Sequence, residues 1–234
     1  MEFSKISAPS LKELFINQLE TMILSGKIPI GEKLPSEREL SDSMQVSRAV
    51  VNAGITELAR RGFLVIKPRI GTFVADYRRN GTLETLVSIM NYNGGVLRDA
   101  EIRSILELRI AFESLATELC IAKITDNEVH QLKQYVVQMK ETKSIETASE
   151  LAFCFQHELA CLSGNTLLPL IVSSFKVPVM ALWKRFCRLY GIDSLYENTS
   201  VLCNYIEQRD SKKAIEWLSS TMRDTIEGDK QIYY

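Results

Sequence analysis

The stretch from Leu34 to Val74 constrains this chain more than any other, because it dictates an ordered series of local structures in a short length. Leu34-Pro35-Ser36-Glu37-Arg38-Glu39-Leu40 opens a helix: Ser36 takes the N-cap position and Glu39 completes a capping box, each side chain accepting from the other's backbone N–H. That helix should be short, ending near Gln45. Val46-Ser47 starts the next, with Ser47 as candidate N-cap. At helical spacing Val51, Ile55 and Leu58 share one side, whereas Arg48, Ala49, Asn52 and Thr56 share an adjoining one. An aliphatic side packs inward and a polar side stays in solvent, which together with the preceding short helix makes a helix-turn-helix. The helix stops at Arg60-Arg61-Gly62, cations in the last turn where the dipole favours them and Gly at the C′ position. Two β-rich runs, Phe63-Leu64-Val65-Ile66 and Thr72-Phe73-Val74, then flank Lys67-Pro68-Arg69-Ile70-Gly71, giving a small hairpin with a basic tip, a wing. Upstream, Leu11, Leu14, Phe15, Leu19, Met22 and Ile23 recur at helical spacing and Ser25-Gly26 ends that helix.

Charge supports the same division. Residues 1 to 79 carry 12 Lys and Arg against 9 Asp and Glu, while the chain as a whole has a net charge of -1. The excess is concentrated between Val46 and Arg79, in Arg48, Arg60, Arg61, Lys67, Arg69, Arg78 and Arg79. Charge alone favours a merely solvated face; the helical pattern beneath it points to nucleic acid. With 234 residues, 46% hydrophobic and 24% charged, the chain can form one large or two modest domains and does not have the composition of a disordered protein. Its longest apolar runs fall far short of the roughly 20 residues that cross a bilayer, and Met1-Glu2-Phe3-Ser4-Lys5 opens no signal peptide, so a cytoplasmic protein without membrane contact is expected. The 5 cysteines, Cys120, Cys154, Cys161, Cys187 and Cys203, form no C-x-x-C pair and are read as reduced core residues.

After a polar linker at Arg78-Arg79-Asn80-Gly81 the sequence becomes helical almost throughout, with helices expected over 82–92, 99–122, 126–142, 146–163, 166–190, 194–208 and 211–227. Breaks fall at Asn93-Gly94-Gly95, Thr125-Asp126, Ser163-Gly164-Asn165 and Arg209-Asp210. The fold class is therefore mainly α: a winged helix-turn-helix at 1–77, a linker at 78–81 and an all-α bundle at 82–234. Within the bundle Arg109 lies in the middle of an apolar helical face made by Ile102, Ile105, Leu106, Phe112, Ala116 and Cys120, with Glu113 on the same face. A cation there requires a partner, either Glu113 as a structural ion pair or the carboxylate or phosphate of a bound molecule.

Leu34-Pro-Ser-Glu-Arg-Glu-Leu40, Val46-Ser-Arg48, Glu57-Leu58, Arg61-Gly-Phe-Leu64 and Arg69-Ile-Gly-Thr-Phe-Val74 together resemble the winged-helix DNA-binding domain of the GntR transcription-regulator family, over about residues 10 to 76. The resemblance implies that Arg38 and Arg48 are the main DNA-contacting arginines; each could fork onto guanine or clamp a phosphate, and the alternatives are a helix salt bridge for Arg38 and a solvated cation for Arg48. Ser47 and Ala49 stand at the start of the same helix, Lys67 and Arg69 reach phosphates or the minor groove, and Gly71 allows the wing to turn. Many members have Arg where this chain has Asn52, and Asn suits adenine better than guanine. One reading helix per subunit implies a homodimer on a pseudopalindromic operator in double-stranded DNA.

Leu106-Glu-Leu-Arg109 with Glu113, Phe155 with Leu162-Ser-Gly-Asn165, and Ile206 with Asp210 and Ala214 resemble the all-helical effector domain of the FadR subfamily. Many such domains hold a divalent metal with an Asp and three His. Here Ala152, Gln156, Thr199 and Thr221 take those places, His157 lies one residue beyond, and no metal or other cofactor is expected. The resemblance leaves Arg109, Gln156, Asn165, Thr199 and Thr221 as effector-binding residues for a small acidic metabolite, a carboxylate or an acyl-CoA. Leu83-Glu-Thr-Leu86 and Leu182 to Tyr190 look like an acyl-CoA-responsive member of that subfamily. The expected function is a regulator of transcription, by family default a repressor. The alternatives are an effector-free architectural DNA-binding protein or a fatty-acid-responsive regulator. No catalytic motif is present, so an enzyme is not expected.

Overall fold

The computed structural model describes residues 9–91 and 99–233, which divide into two compact units, Met1–Gly94 and Gly95–Tyr234. The break expected at Asn93-Gly94-Gly95 lies outside the described residues.

The first unit is built as the local signals dictate. Helix α1 (Leu11–Leu24) starts at a capping box between Ser10 and Glu13, and α2 (Glu37–Met44) at one between Ser36 and Glu39; α3 (Arg48–Arg60) starts at Ser47, whose hydroxyl accepts from Val50 N. Gln45, at φ 53°, closes α2 in the left-handed conformation and turns the chain sharply into α3. Strands β1 (Leu64–Lys67) and β2 (Gly71–Val74) pair antiparallel with Leu64 opposite Val74 and Lys67 opposite Gly71. Phe15, Leu19, Val51, Ile55, Leu58 and Phe63 form the core beneath them. Gly54 lets α1 and α3 approach, since a Cβ there would lie 2.3 Å from the Phe15 ring. Leu11 and Leu14, expected inside, are exposed, because the buried stripe of α1 runs through Phe15, Ile16, Leu19 and Ile23 and leaves the first turn beyond the core.

The linker expected at 78–81 is instead a helical turn, α4 (Tyr77–Asn80), followed by α5 (Leu83–Asn91). Residues 82–91 belong with the first unit. The Thr85 hydroxyl donates to Arg61 O, Arg60 pairs with Glu84 at 2.6 Å, and Ile89 packs on the core of α1 to α3.

The second unit is a helical bundle of α6 (Asp99–Ile121), α7 (Asp126–Glu141), α8 (Ile145–Leu162), α9 (Leu168–Ser174), α10 (Lys176–Glu207) and α11 (Ser211–Glu227). The helix expected at 166–190 is divided at Phe175, and the gap expected after 190 is a kink inside α10 at Gly191, whose φ of 83° and ψ of 158° are open to glycine alone. Cys120, Cys187 and Cys203 are buried as expected, and burial pushes the Cys120 thiol up to about 12. Cys161 is exposed and Cys154 half-buried, both on the outer part of α8.

Candidate nucleic-acid interface and effector cavity

Every side chain expected on the reading face of α3 is in solvent. Ser47, Arg48, Ala49, Asn52 and Thr56 are exposed, while Val51, Ile55 and Leu58 on the opposite side are buried. The caps and the core thus hold the first turn of α3 rigidly outward. Arg38 on α2 is exposed beside it, with only a 3.8 Å contact to the equally exposed Asp42. Such an ion pair in water contributes little and leaves the guanidinium available. Asn52 Nδ2 donates to Glu37 Oε1 at 3.2 Å, a partner the sequence reading missed, and that bond fixes which way the amide faces.

The two arginines at the C-terminal end of α3 are spoken for. Arg60 forks onto Glu57 and reaches Glu84, and Arg61 joins Glu57 to the buried Glu20 at 2.9 Å. The two guanidiniums hold the Glu57 carboxyl far below its ordinary value, at about 2. This separates structural from solvent-directed arginines within one helix.

In the wing, Lys67 and Arg69 are exposed, with the Lys67 ammonium 4.7 Å from the centre of the Phe73 ring. Arg69 adopts φ 65°, so the tip holds a non-glycine residue in the left-handed region. Gly71, at φ 134°, is half-buried against Lys33, whose Cε would lie 2.6 Å from a Cβ at that position. Lys33 reaches the wing because its backbone bridges Phe73 and Leu34 N donates to Thr72 O. Nothing in the periodicity of the sequence signals that contact.

In the second unit a cavity of about 80 Å³ opens between α6, α8, α10 and α11. Several waters would fill it, since one needs roughly 10–15 Å³. Arg109, Gln156, Thr199 and Thr221 all line it, so four residues singled out from distant parts of the chain converge. Arg109 is 4% exposed and Glu113 3%. Arg109 Nε donates to Glu113 Oε1 at 2.6 Å and Nη2 to Oε2 at 3.4 Å, while the guanidinium carbon sits 4.6 Å from the centre of the Trp183 ring. The ion pair expected from sequence is present, yet it does not use the whole guanidinium: Nη1 makes no hydrogen bond among the described residues. Burial pushes the Glu113 carboxyl upward against the opposing pull of Arg109. Gln156, half-buried, makes no side-chain hydrogen bond among the described residues either. The Thr199 hydroxyl donates to Leu195 O at 2.9 Å and the Thr221 hydroxyl to Leu218 O at 3.1 Å, which leaves their lone pairs for an incoming donor.

Asn165, expected here, is elsewhere. Its Oδ1 accepts from Leu167 N at 2.9 Å and Leu168 N at 3.2 Å, so it shapes the turn into α9 and does not line the cavity. His157 also faces away: its ring stacks on Phe153, with Nε2 3.0 Å from Ser173 Oγ. Ala152 joins Gln156, Thr199 and Thr221 in the wall, so all four places that carry metal ligands in many related domains face the cavity. A methyl, an amide and two hydroxyls already donating to carbonyls, beside an arginine cation, do not fit a divalent metal. They fit an anion with further hydrogen-bonding groups. Sequence reasoning missed Trp183, Trp217 and Ile232 as cavity residues; the tryptophans sit within helices like other core residues, and Ile232 is one apolar residue in a polar tail.

Comparison with known proteins decides the family. Residues 12–74 match the model of bacterial regulatory proteins of the gntR family, and residues 104–224, more than half of the chain, match the FCD domain. The chain belongs to the gntR family of FCD-type regulators. This gntR-family chain is 26% identical over 203 residues to the HTH-type transcriptional regulator LutR of Bacillus subtilis (strain 168), covering 82% of this chain and 89% of that one. It is 31% identical over 171 residues to the fatty acid metabolism regulator protein of Shewanella sp. (strain MR-4), covering 72% and 66%. It is 31% identical over 143 residues to the HTH-type transcriptional regulator Mce2R of Mycobacterium tuberculosis (strain CDC 1551 / Oshkosh), covering 61% of this chain and spanning only 59% of that relative's length. The solved structure described as "Lar controls the expression of the Listeria monocytogenes agr system and mediates virulence" has the same fold, with TM-score 0.64 and 14% identity over 94% of this chain and 97% of that chain. Among the described residues no helix is long and apolar enough to cross a membrane.

Proposed function

We propose that this chain is a cytoplasmic transcription regulator, a homodimer that grips a two-fold operator in duplex DNA through α3, and whose operator affinity changes when a compact carboxylate enters the cavity of the second unit. The observation that carries this reading is the outward first turn of α3, where Arg48, Ala49 and Asn52 stand in solvent over a buried aliphatic side. Arg38, Ser47, Arg48, Ala49 and Asn52 contact bases and phosphates in the major groove, and Lys67, Arg69 and Gly71 bring the wing to the neighbouring backbone or minor groove. In the second unit Arg109 receives the carboxylate on Nη1, with Gln156, Thr199 and Thr221 hydrogen-bonding the rest of the molecule. Effector and DNA favour different arrangements of the dimer, and each therefore weakens the other's binding. By family default the DNA-bound protein represses, and the ligand relieves that repression. No catalytic role is assigned to any residue.

A second reading has a specific observation behind it. Much of the cavity lining is apolar, including Leu182, Phe186, Leu195 and Met222, and the Shewanella relative is named for fatty acid metabolism. An acyl chain is the ligand under that reading.

The test begins with selection of duplexes from a random pool by the full chain. A pseudopalindromic site is expected, and its dissociation constant should rise several-fold when a carboxylate that raises the melting temperature is added. Selection of no sequence would remove the DNA-reading assignment. Carboxylates that stabilise the protein without changing operator affinity would remove the coupling.

A further inference from the structure

The segment that follows α11 supplies a part of the cavity wall that is not helical. Asp229 N donates to Asp224 Oδ1 at 2.8 Å, and the chain turns back so that Ile232 N donates to Thr225 O at 3.3 Å. From α10, the Tyr190 hydroxyl donates to Gln231 O at 2.7 Å, Arg185 Nε donates to Ile232 O at 2.7 Å, and Arg185 Nη2 donates to Tyr233 O. Three successive carbonyls are held from the side by two side chains. The pinning uses main-chain atoms only, so it is independent of what the segment presents inward. What it presents is Ile232, 2% exposed and in the cavity wall. The Tyr233 hydroxyl is buried with no partner among the described residues, so the segment is not fully satisfied where it lies.

We propose that residues 229–233 are a strap across the cavity and that Ile232 is a specificity-determining residue, setting the length of ligand the cavity accepts. The proposal rests on the reading of the cavity as a carboxylate site. With the polar end of a ligand fixed at Arg109 Nη1, its apolar end extends among Leu182, Phe186 and Ile232. The helical walls are locked by the packing of the bundle, whereas the strap is a short segment held by a few hydrogen bonds. It is the wall that a longer ligand displaces, and the Ile232 side chain is the first obstacle it meets.

The probes are saturated straight-chain monocarboxylates from butanoate to dodecanoate, read by intrinsic fluorescence. The sequence contains 2 tryptophans, Trp183 and Trp217, and both line the cavity. In the unmodified protein, affinity is expected to rise with chain length and then fall at least tenfold past a cut-off. Ile232→Ala moves the cut-off outward by about two to three carbons, and the conservative Ile232→Val by about one, in step with the methylenes removed. Arg185→Ala, which frees the strap carbonyls but keeps Ile232, blurs the cut-off and leaves the shortest acids unaffected. Identical chain-length profiles in the unmodified protein, Ile232→Ala and Ile232→Val overturn the strap and leave the carboxylate site standing. Absence of any fluorescence response to any acid in the unmodified protein overturns the carboxylate reading and the strap with it.

Discussion

The two units carry their candidate sites in opposite ways. In the first, the chemistry stands on the outside of a core that holds it: Arg48, Ala49 and Asn52 are exposed, and Val51, Ile55 and Leu58 are buried beneath them. In the second, scaffold and site share a group. Arg109 is at once part of the buried interior, paired with Glu113, and part of the cavity wall, with Trp183 stacked beneath the guanidinium. A surface site can be altered one residue at a time without disturbing its scaffold, whereas an interior one requires its buried partners to change with it.

The sharpest way to break this contrast is at the buried pair. Arg109→Ala leaves a carboxyl without its partner, and the second unit should lose about 3–5 kcal/mol in denaturant unfolding. Replacing both partners, Arg109→Met with Glu113→Leu, should restore most of that stability and still lack any carboxylate response, which separates the structural share of Arg109 from its binding share. A double variant that still responds to carboxylates would take Arg109 out of the site.

In the first unit the largest effects belong to the core. Gly54→Ala forces a methyl against the Phe15 ring and should cost about 1–3 kcal/mol of stability, measured by thermal unfolding. Ser36→Ala removes the capping hydroxyl and should cost about 1 kcal/mol, with Glu39 losing the hydroxyl bond that lowers its carboxyl and keeping the one from the backbone N–H. The smallest expected effect is a pH dependence. Because the Glu57 carboxyl is held down from 4.5 to about 2, its contribution is complete above pH 4.5 and disappears as pH falls through about 2; Glu57→Gln should flatten the acid limb of a stability profile over that window.

The same contrast explains what the sequence made legible. Capping boxes, a stop glycine and a β-rich pair are local codes, so α2, α3 and the hairpin could be placed from neighbouring residues, and the burial of Val51, Ile55 and Leu58 followed from the spacing. Lys33 beside Gly71 and Glu37 beside Asn52 are contacts made across turns, and no period encodes them. In the bundle, Arg109 was visible as a charge on an apolar face. Asn165 was assigned to the cavity through its motif, but that motif shapes the turn into α9. Ile232 looked like any apolar residue in a polar tail, because its importance comes from bonds that Arg185 and Tyr190 make to the main chain around it. The segment expected as a linker at 78–81 reads as polar, yet Thr85 and Glu84 tie the chain beyond it to Arg61 and Arg60.

The division of labour among the arginines of α3 is the central claim, and one titration tests it. Binding of a selected operator duplex is measured by fluorescence anisotropy at fixed salt for the unmodified chain, Arg48→Ala and Arg60→Ala. Arg48→Ala should bind more weakly by about 1–3 kcal/mol with its fold intact, whereas Arg60→Ala, whose guanidinium is engaged by Glu57 and Glu84, should bind within about twofold of the unmodified chain. Unchanged binding by a folded Arg48→Ala, or an equal loss in both variants, would contradict it.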